Sequence, residues 1–385
     1  MTATNSELIP SSAPPVNGSG KAQSTSKLKF STSDRFIRDL RRRVDAYFEE
    51  TGKSPRDNKR MYFKTATILA WFTAAYVMLL LFPIAWWVAV PLAMIVGLAV
   101  AAVGFNIQHD AGHKAYSEKQ WVNKAMAFTL DIMGGSSYLW DWKHNTIHHT
   151  YPNIDGHDDD IDVGFLGRLS PHQKRYWFHR LQGVYLWFLY GFLAVKWHLV
   201  DDFKQLVVAK IGEQKIPRPK GKDLVVFIAG KVVFFSIAFV IPMLMHPWWK
   251  VLALYGVAAF TMGIVLSVVF QLAHCVEEAE FPAPVTGPDG KSRMETDWAV
   301  HQVQTTVDFA RGNRFLSWFL GGLNYQVEHH LFSKICHVHY PELSKVVEEV
   351  CREHGVRYSA HDSFFGAIAS HWRWLVQMGR PTRMA

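Results

Sequence analysis

TATILAWFTAAYVMLLLFPIAWWVAVPLAMIVGLAVAAVGFNIQHDAGH, residues 65–113, decides the architecture. From Thr65 to Gln108 there are forty-four positions without Asp, Glu, Lys or Arg. One bilayer crossing takes about 20 apolar residues, so this run holds two helices. Pro83 and Pro91 flank the turn between them, and Trp86 and Trp87 stand where a membrane interface is expected. The turn is short, so the pair is predicted to be a hairpin whose outer ends emerge on one side. The run then ends in His109-Asp110-Ala111-Gly112-His113, two imidazoles at the mouth of an apolar helix.

A second pair lies further along. Val232 to Trp249 and Val251 to Val276 again carry no carboxylate, lysine or arginine, and His246-Pro247-Trp248-Trp249-Lys250 makes the turn. The expectation is an all-α integral membrane protein with four transmembrane helices, at about 65–84, 88–108, 226–246 and 251–274. They form two hairpins beneath a helical cap. Leu181–Val195 is short for a span and holds Gln182; Ala125–Leu139 holds Asp131 and two glycines. Both read as interfacial or partly buried helices.

Four crossings put residues 1–64, 109–223 and 277–385 on one side. These regions hold nearly all the charge, including Arg41-Arg42-Arg43 and the run from Lys215 to Lys222. The positive-inside tendency makes that side, with both termini, cytosolic. The net charge of +8 is explained the same way, because basic residues crowd the ends of apolar segments, and nucleic acid is not expected as a partner. Cys275, Cys336 and Cys351 have no paired spacing, which excludes a disulfide framework and a cysteine-type zinc site. No cleavable signal peptide is visible.

Residues 1–33 are rich in Ser, Pro, Asn and Thr and read as a disordered tail. The 34–64 region contains a basic amphipathic helix with Phe36, Leu40, Val44 and Phe48 on one face. That face suits either the inner membrane surface or the soluble part of the fold. Residues 65–355 form the main domain, and 356–385 a C-terminal cytosolic tail.

Histidine supplies 19 of 385 residues, so one adjacent pair means little. The pattern goes further. His109 and His113 are H-x3-H; His144, His148 and His149 are H-x3-HH; Gln326, His329 and His330 are Q-x2-HH. The middle pattern is expected by chance in only about 5% of such chains. Residues four apart share a helix face, so each H-x3-H aims two rings at one point. Adjacent histidines diverge by about 100° on a helix, so each doublet can serve two neighbouring metals. All three motifs fall on one side of the membrane, and His274 ends the last span at a similar depth. An ionisable group there is a functional candidate. With Gln326 and His274 the candidates number nine, too many for one ion and suited to two. Imidazole accepts Fe, Zn, Cu or Ni. A zinc hydrolase needs fewer ligands and a clear general base. Neutral ligands leave two metals strongly cationic, which favours binding and reducing O2. Asp110, Asn145, Asp158, Asp160, Asp162 and Glu328 are within reach to orient the rings through their other nitrogen. The acidic run Asp155–Asp162 lacks the spacing and closing Glu of an EF-hand.

In these residues the chain resembles the membrane fatty acid desaturase family, and within it the front-end, linoleoyl-CoA desaturase-like branch. The matching stretches are HDAGH at 109–113, WKHNTIHHTYPNIDGHDDDI at 142–161, QLAHCVEE at 271–278, and HQVQTTVDFA through NYQVEHHLF at 301–332. Glutamine opening the third motif marks that branch. The resemblance spans roughly residues 65–355. It implies a non-haem di-iron centre at the nine positions, a cytosolic cap, and a narrow bent tunnel for the acyl chain. It also implies O2 as co-substrate and an acyl-CoA or acyl-lipid as substrate. Many front-end members carry a fused haem domain marked by His-Pro-Gly-Gly, which is absent here. Electrons are then expected from a separate protein: cytochrome b5, a ferredoxin, or a flavin/iron–sulfur reductase. The implied reaction places a cis double bond between two methylenes.

Two other classes share some of these features. A di-iron membrane hydroxylase of an alkane, sterol or carotenoid would have the same histidine motifs and spans, without the 301–332 signature. The other class is non-enzymatic, a membrane receptor or a metal transporter, and a transporter would place its ligands at the bilayer midplane on broken helices. Here eight of the nine candidates lie outside the apolar runs.

Overall fold

A computed structural model describes residues 28–381. Among the described residues four helices are long and apolar enough to cross a membrane: Lys59–Leu81, Trp86–Gly112, Lys222–Met245 and Trp248–His274. They are called spans one to four below. Spans one and two are joined by Phe82–Ala85, and spans three and four by His246-Pro247. At that end Trp86 stacks on Trp249, with ring centroids 5.7 Å apart. Spans one, three and four are largely exposed, as the lipid-facing side of a bundle requires, and span two is more than half buried among them.

Spans two and four pack most closely. A Cβ on Gly97 would lie 2.3 Å from the carbonyl oxygen of Ala258, so only glycine lets the two backbones approach here. From that crossing both helices run toward the cap, and they deliver His109 and His274.

The stretch expected to lie at the interface, Leu181–Val195, is broken. Helix Trp177–Tyr190 and helix Leu193–Val208 meet at 64°. Gly263 of span four admits the bend, because a Cβ there would sit 2.5 Å from the Gly191 carbonyl oxygen. Ala125–Leu139 is likewise split into short helices, including Thr129–Ile132 and Ser137–Trp140.

The cap is mostly helical, with three small sheets that periodicity did not reveal. One of them corrects the expected N-terminal tail. Residues 1–27 lie outside the described residues, but Lys29–Ser31 is a strand, paired in parallel with Ser292–Asp297. Leu28 and Phe30 anchor it against Tyr151, Ile154 and Met294, so two apolar residues in a polar stretch suffice once an edge strand offers backbone partners. Helix Arg35–Thr51 buries Phe36, Leu40 and Val44. Its apolar face is taken up by protein: Phe36 and Leu40 join Val347, Val350 and Val327 in one core. Its polar face pairs Arg43 with Glu353, and Asp39 with His354 at 3.0 Å.

The C-terminal stretch expected as a tail folds back. Ala360–His361 pairs in parallel with Asp308–Phe309, and helix Phe364–Gly379 buries Ala367, Trp374 and Leu375. His371 donates from Nδ1 to the Cys275 carbonyl at 2.6 Å, which fixes the end of span four. The three cysteines are free and buried.

Gly97→Val is expected to cost about 1–3 kcal/mol through overpacking and to lower the thermal midpoint of the detergent-solubilised protein by several degrees. Gly256→Ala, where a Cβ meets nothing within 4 Å, should leave the midpoint unchanged.

Candidate metal centre

The three motifs converge because two of them ride on widened helical turns. Span two ends in a π-helical turn, Gly104–Gln108, and His109 donates its backbone N–H five residues back to Gly104. Asp141–His148 is π-helical too, closed by His149 N to His144 O at 3.0 Å. A turn that closes at i+5 gathers His144, His148 and His149 more tightly than the 100° step of an α-helix allows. The third motif sits on helix Gln326–Leu331, wholly buried, with Val327 N donating to Asp308 Oδ1 at 3.0 Å.

Two groups of rings result. His109, His113, His144 and His329 bring their donor atoms within 4.8 Å of one another. So do His148, His274 and His330. His149 bridges them: its Nε2 is 2.9 Å from Nε2 of His329, and its ring stacks on His330 at 4.3 Å. Each doublet is therefore shared between the groups. Gln326 joins the second, with its amide nitrogen 2.9 Å from His274 Nε2. A half-turn of that amide would present Oε1 instead.

The donors are prepared for a cation. His148 Nδ1 donates to the Asp158 carboxylate at 3.1 Å, His330 Nδ1 to Gln302 Oε1 at 2.8 Å, and His274 Nδ1 to the Thr305 carbonyl at 3.2 Å. Each bond fixes a tautomer whose Nε2 is a bare lone pair. Nε2 of His113, His148 and His330 is buried without a hydrogen-bond partner. In the first group His144 Nε2 faces both His109 Nε2 at 3.1 Å and His149 Nε2 at 3.2 Å. A neutral ring nitrogen offers one proton or one lone pair, so it cannot satisfy both contacts. Metal ions set among these nitrogens would accept their lone pairs, and the residues present fit two ions.

Burial, then the neighbouring rings, hold His113, His144, His149, His329 and His330 well below the ordinary imidazole pKa. They are neutral at pH 7, the form that binds metal. At His148 burial opposes protonation, but the carboxylates of Asp158 and Asp160 outweigh it and hold its pKa above the ordinary value.

His144 is the only half-buried member of the nine; the other eight are buried. Trp140 covers it, stacked at 4.6 Å and itself half-buried. A Cβ on Gly112 would lie 2.3 Å from the Trp140 ring, which explains the glycine in HDAGH. Within the membrane bundle, an apolar cavity lies between the spans, lined by Phe72, Val96, Val100, Phe234, Tyr255 and Met262 among others.

A profile described as Fatty acid desaturase matches residues 84–362, a stretch that holds all nine candidates. The chain belongs to the fatty acid desaturase family. It is 42% identical over 356 residues to an sn-1 linoleoyl-lipid 6-desaturase of Arthrospira platensis, covering 92% of this chain and 95% of that protein. The protein of the same name from Synechocystis sp. is 40% identical, with 92% and 98% covered. An acyl-lipid (8-3)-desaturase of Physcomitrium patens is 34% identical, with 88% of this chain and 71% of that protein covered.

Within this desaturase, the six residues expected to orient the rings divide. Asp158 bonds His148, and Asp160 lies 3.8 Å from His148 Nδ1. The other four reach no candidate ring. Asp110 accepts from His337 Nδ1 at 2.8 Å, and Lys64 donates to His337 Nε2 at 2.9 Å. Asn145 donates to the Gly112 carbonyl at 3.0 Å, and Asp162 caps Gly164 N at 2.8 Å. Glu328, next to His329 in sequence, points away from the rings and accepts from Tyr358 OH, which also bonds Asp308. On a helix, neighbouring side chains face different ways, so adjacency to a histidine does not orient it. Burial, then the Asp308 carboxylate, pushes the Glu328 pKa well up. Sequence reasoning missed Gln302, Thr305 and Tyr340, the last 3.4 Å from His329 Nδ1. Gln302 and Thr305 both lie within the matching stretch 301–310, whereas Tyr340 lies outside every matching stretch. His301 donates to the Pro152 carbonyl at 3.0 Å and lies outside both groups.

Gln302→Leu removes the acceptor behind His330 and is expected to weaken metal binding about 10–100-fold. Metal analysis after dialysis against a chelator checks this, and Asp162→Asn should retain the wild-type metal content.

Proposed function

We infer that this desaturase inserts a cis double bond into an acyl chain carried on a membrane lipid. It would use O2, electrons from a separate donor protein, and two iron ions held by His109, His113, His144, His148, His149, His274, Gln326, His329 and His330. The observation that carries this reading is the meeting of three remote histidine motifs in two adjoining, buried groups, in which Nε2 of His113, His148 and His330 lacks a partner. The relatives named for acyl-lipids, which the chain matches over most of its length, support the lipid carrier.

When bound, the iron pair supplies the O2 chemistry that strips hydrogen from an unactivated methylene. The balance is –CH2–CH2– + O2 + 2 electrons + 2 H+ giving –CH=CH– + 2 H2O. The chain's own residues hold and orient. Asp158, Gln302 and the Thr305 carbonyl fix the tautomers of His148, His330 and His274. Burial of eight of the nine ligands keeps water from the reacting centre. The half-buried face at His144 and Trp140 is where an acyl chain reaches it, and the flat indole presses one methylene pair against the site. The apolar cavity between the spans takes the chain's methyl end. Its wall at Val100 stands nine residues from His109, about 13 Å along the helix.

The two joins at the far ends of the spans are a few residues long, and the charge gathers beside the histidines. The positive-inside tendency therefore puts the active site and both termini in the cytosol, with the spans as two hairpins. A soluble electron carrier can reach it there.

Expression in a host of known lipid composition, followed by gas chromatography of the fatty acids, tests the reading. A new unsaturated species is expected, carried on lipid. His148→Ala should abolish it while the protein stays in the membrane. A product that persists in that variant would contradict the assignment.

A further inference from the structure

Span three begins at Lys222, directly after a small hairpin in which Lys210–Ile211 pairs with Gln214–Lys215. Between residues 204 and 222 the chain carries Lys204, Lys210, Lys215, Arg218, Lys220 and Lys222 against one carboxylate, Glu213. All six cations are exposed. Arg218 is committed to structure: it donates to the carbonyls of Leu206 at 3.3 Å and Val207 at 2.6 Å, and so ties the hairpin to helix Asp202–Val208. Tyr138 adds a bond to the Pro217 carbonyl at 2.9 Å. The five lysines make no ion pair among the described residues, whereas their neighbours Lys196 and Lys231 pair with Asp201 and Asp202.

An open apolar groove lies between helix Asp202–Val208, which carries Lys204, and span three, which Lys222 opens. Phe203, Phe227, Ile228, Val232 and Phe235 line it. Its floor carries no free charge. Lys231 is buried there, 2.6 Å from Asp202 and beneath the rings of Phe203 and Phe227 at 5.3 and 5.6 Å. Phe227 also packs with Leu139, Ile147 and Ile211, a layer that separates the groove from the histidine motif at 144–149.

We propose that this corner binds one anionic phospholipid, with its phosphate among Lys204, Lys210 and Lys222 and an acyl chain in the groove. A lipid-facing groove that ends in unpaired lysines matches an amphiphile of negative charge. A soluble phosphate compound would leave the groove unused, and a zwitterionic lipid would leave the charge surplus unmatched. Each lysine close to the headgroup strengthens binding about fivefold. The site is separate from the catalytic centre, so its occupancy is read by binding rather than by turnover.

Immobilised full-length protein in detergent micelles is offered radiolabelled phosphatidylglycerol or phosphatidylcholine with identical chains. Wild type should retain phosphatidylglycerol at least about tenfold more tightly, and the preference should collapse as salt rises from about 0.05 to 0.5 M. The triple variant Lys204→Gln, Lys210→Gln, Lys222→Gln should bind the two lipids equally. Val232→Trp, which fills the groove, should weaken both. Equal retention by wild type, a preference that salt does not move, or displacement of the lipid by free coenzyme A would overturn the proposal. Val232→Trp decides the matter even if the triple variant does not fold, because unchanged retention of phosphatidylglycerol in that variant would overturn the proposal.

Discussion

Nε2 of His149 lies 2.9 Å from that of His329 and 3.2 Å from that of His144. No placement of protons on neutral rings turns both contacts into hydrogen bonds. Charging the rings is no remedy, since burial and mutual repulsion keep them neutral. Polar atoms crowded in a dry pocket cost free energy unless something satisfies them. A cation in each group would do so, and on the reading proposed above the folding of the cap is coupled to metal binding.

The rest of the molecule serves to bring those rings together. Gly97 lets spans two and four touch, and their cap-side ends carry His109 and His274. The third motif is pinned by Asp308 at Val327 N and by Gln302 behind His330. The second is pinned by Asp158, which bonds His148 and also accepts from Asn153 N at 2.9 Å. Asn153 in turn donates to the His274 carbonyl at 2.9 Å, so the loop after the second motif holds the end of span four. That last bond joins segments 121 residues apart.

Much of this was legible in the sequence because it follows from local period and spacing. A charge-free run of this length specifies helices in a membrane, and H-x3-H specifies two rings on one face. What depends on tertiary contact was not legible. The π-helical turns at Gly104–Gln108 and Asp141–His148 leave no period of their own. Asp110 sits beside a ligand in sequence yet serves His337, while Gln302, 28 residues from His330, bonds that ring. Leu28 and Phe30 fasten a strand within a stretch whose composition reads as disordered, because the edge of Ser292–Asp297 was invisible from afar.

Anomalous diffraction at the iron edge from crystals of the purified enzyme tests the central claim most directly. Two iron peaks are predicted, one ringed by His109, His113, His144 and His329, the other by His148, His274 and His330. A single peak, a metal other than iron in an active preparation, or density away from these rings would contradict it.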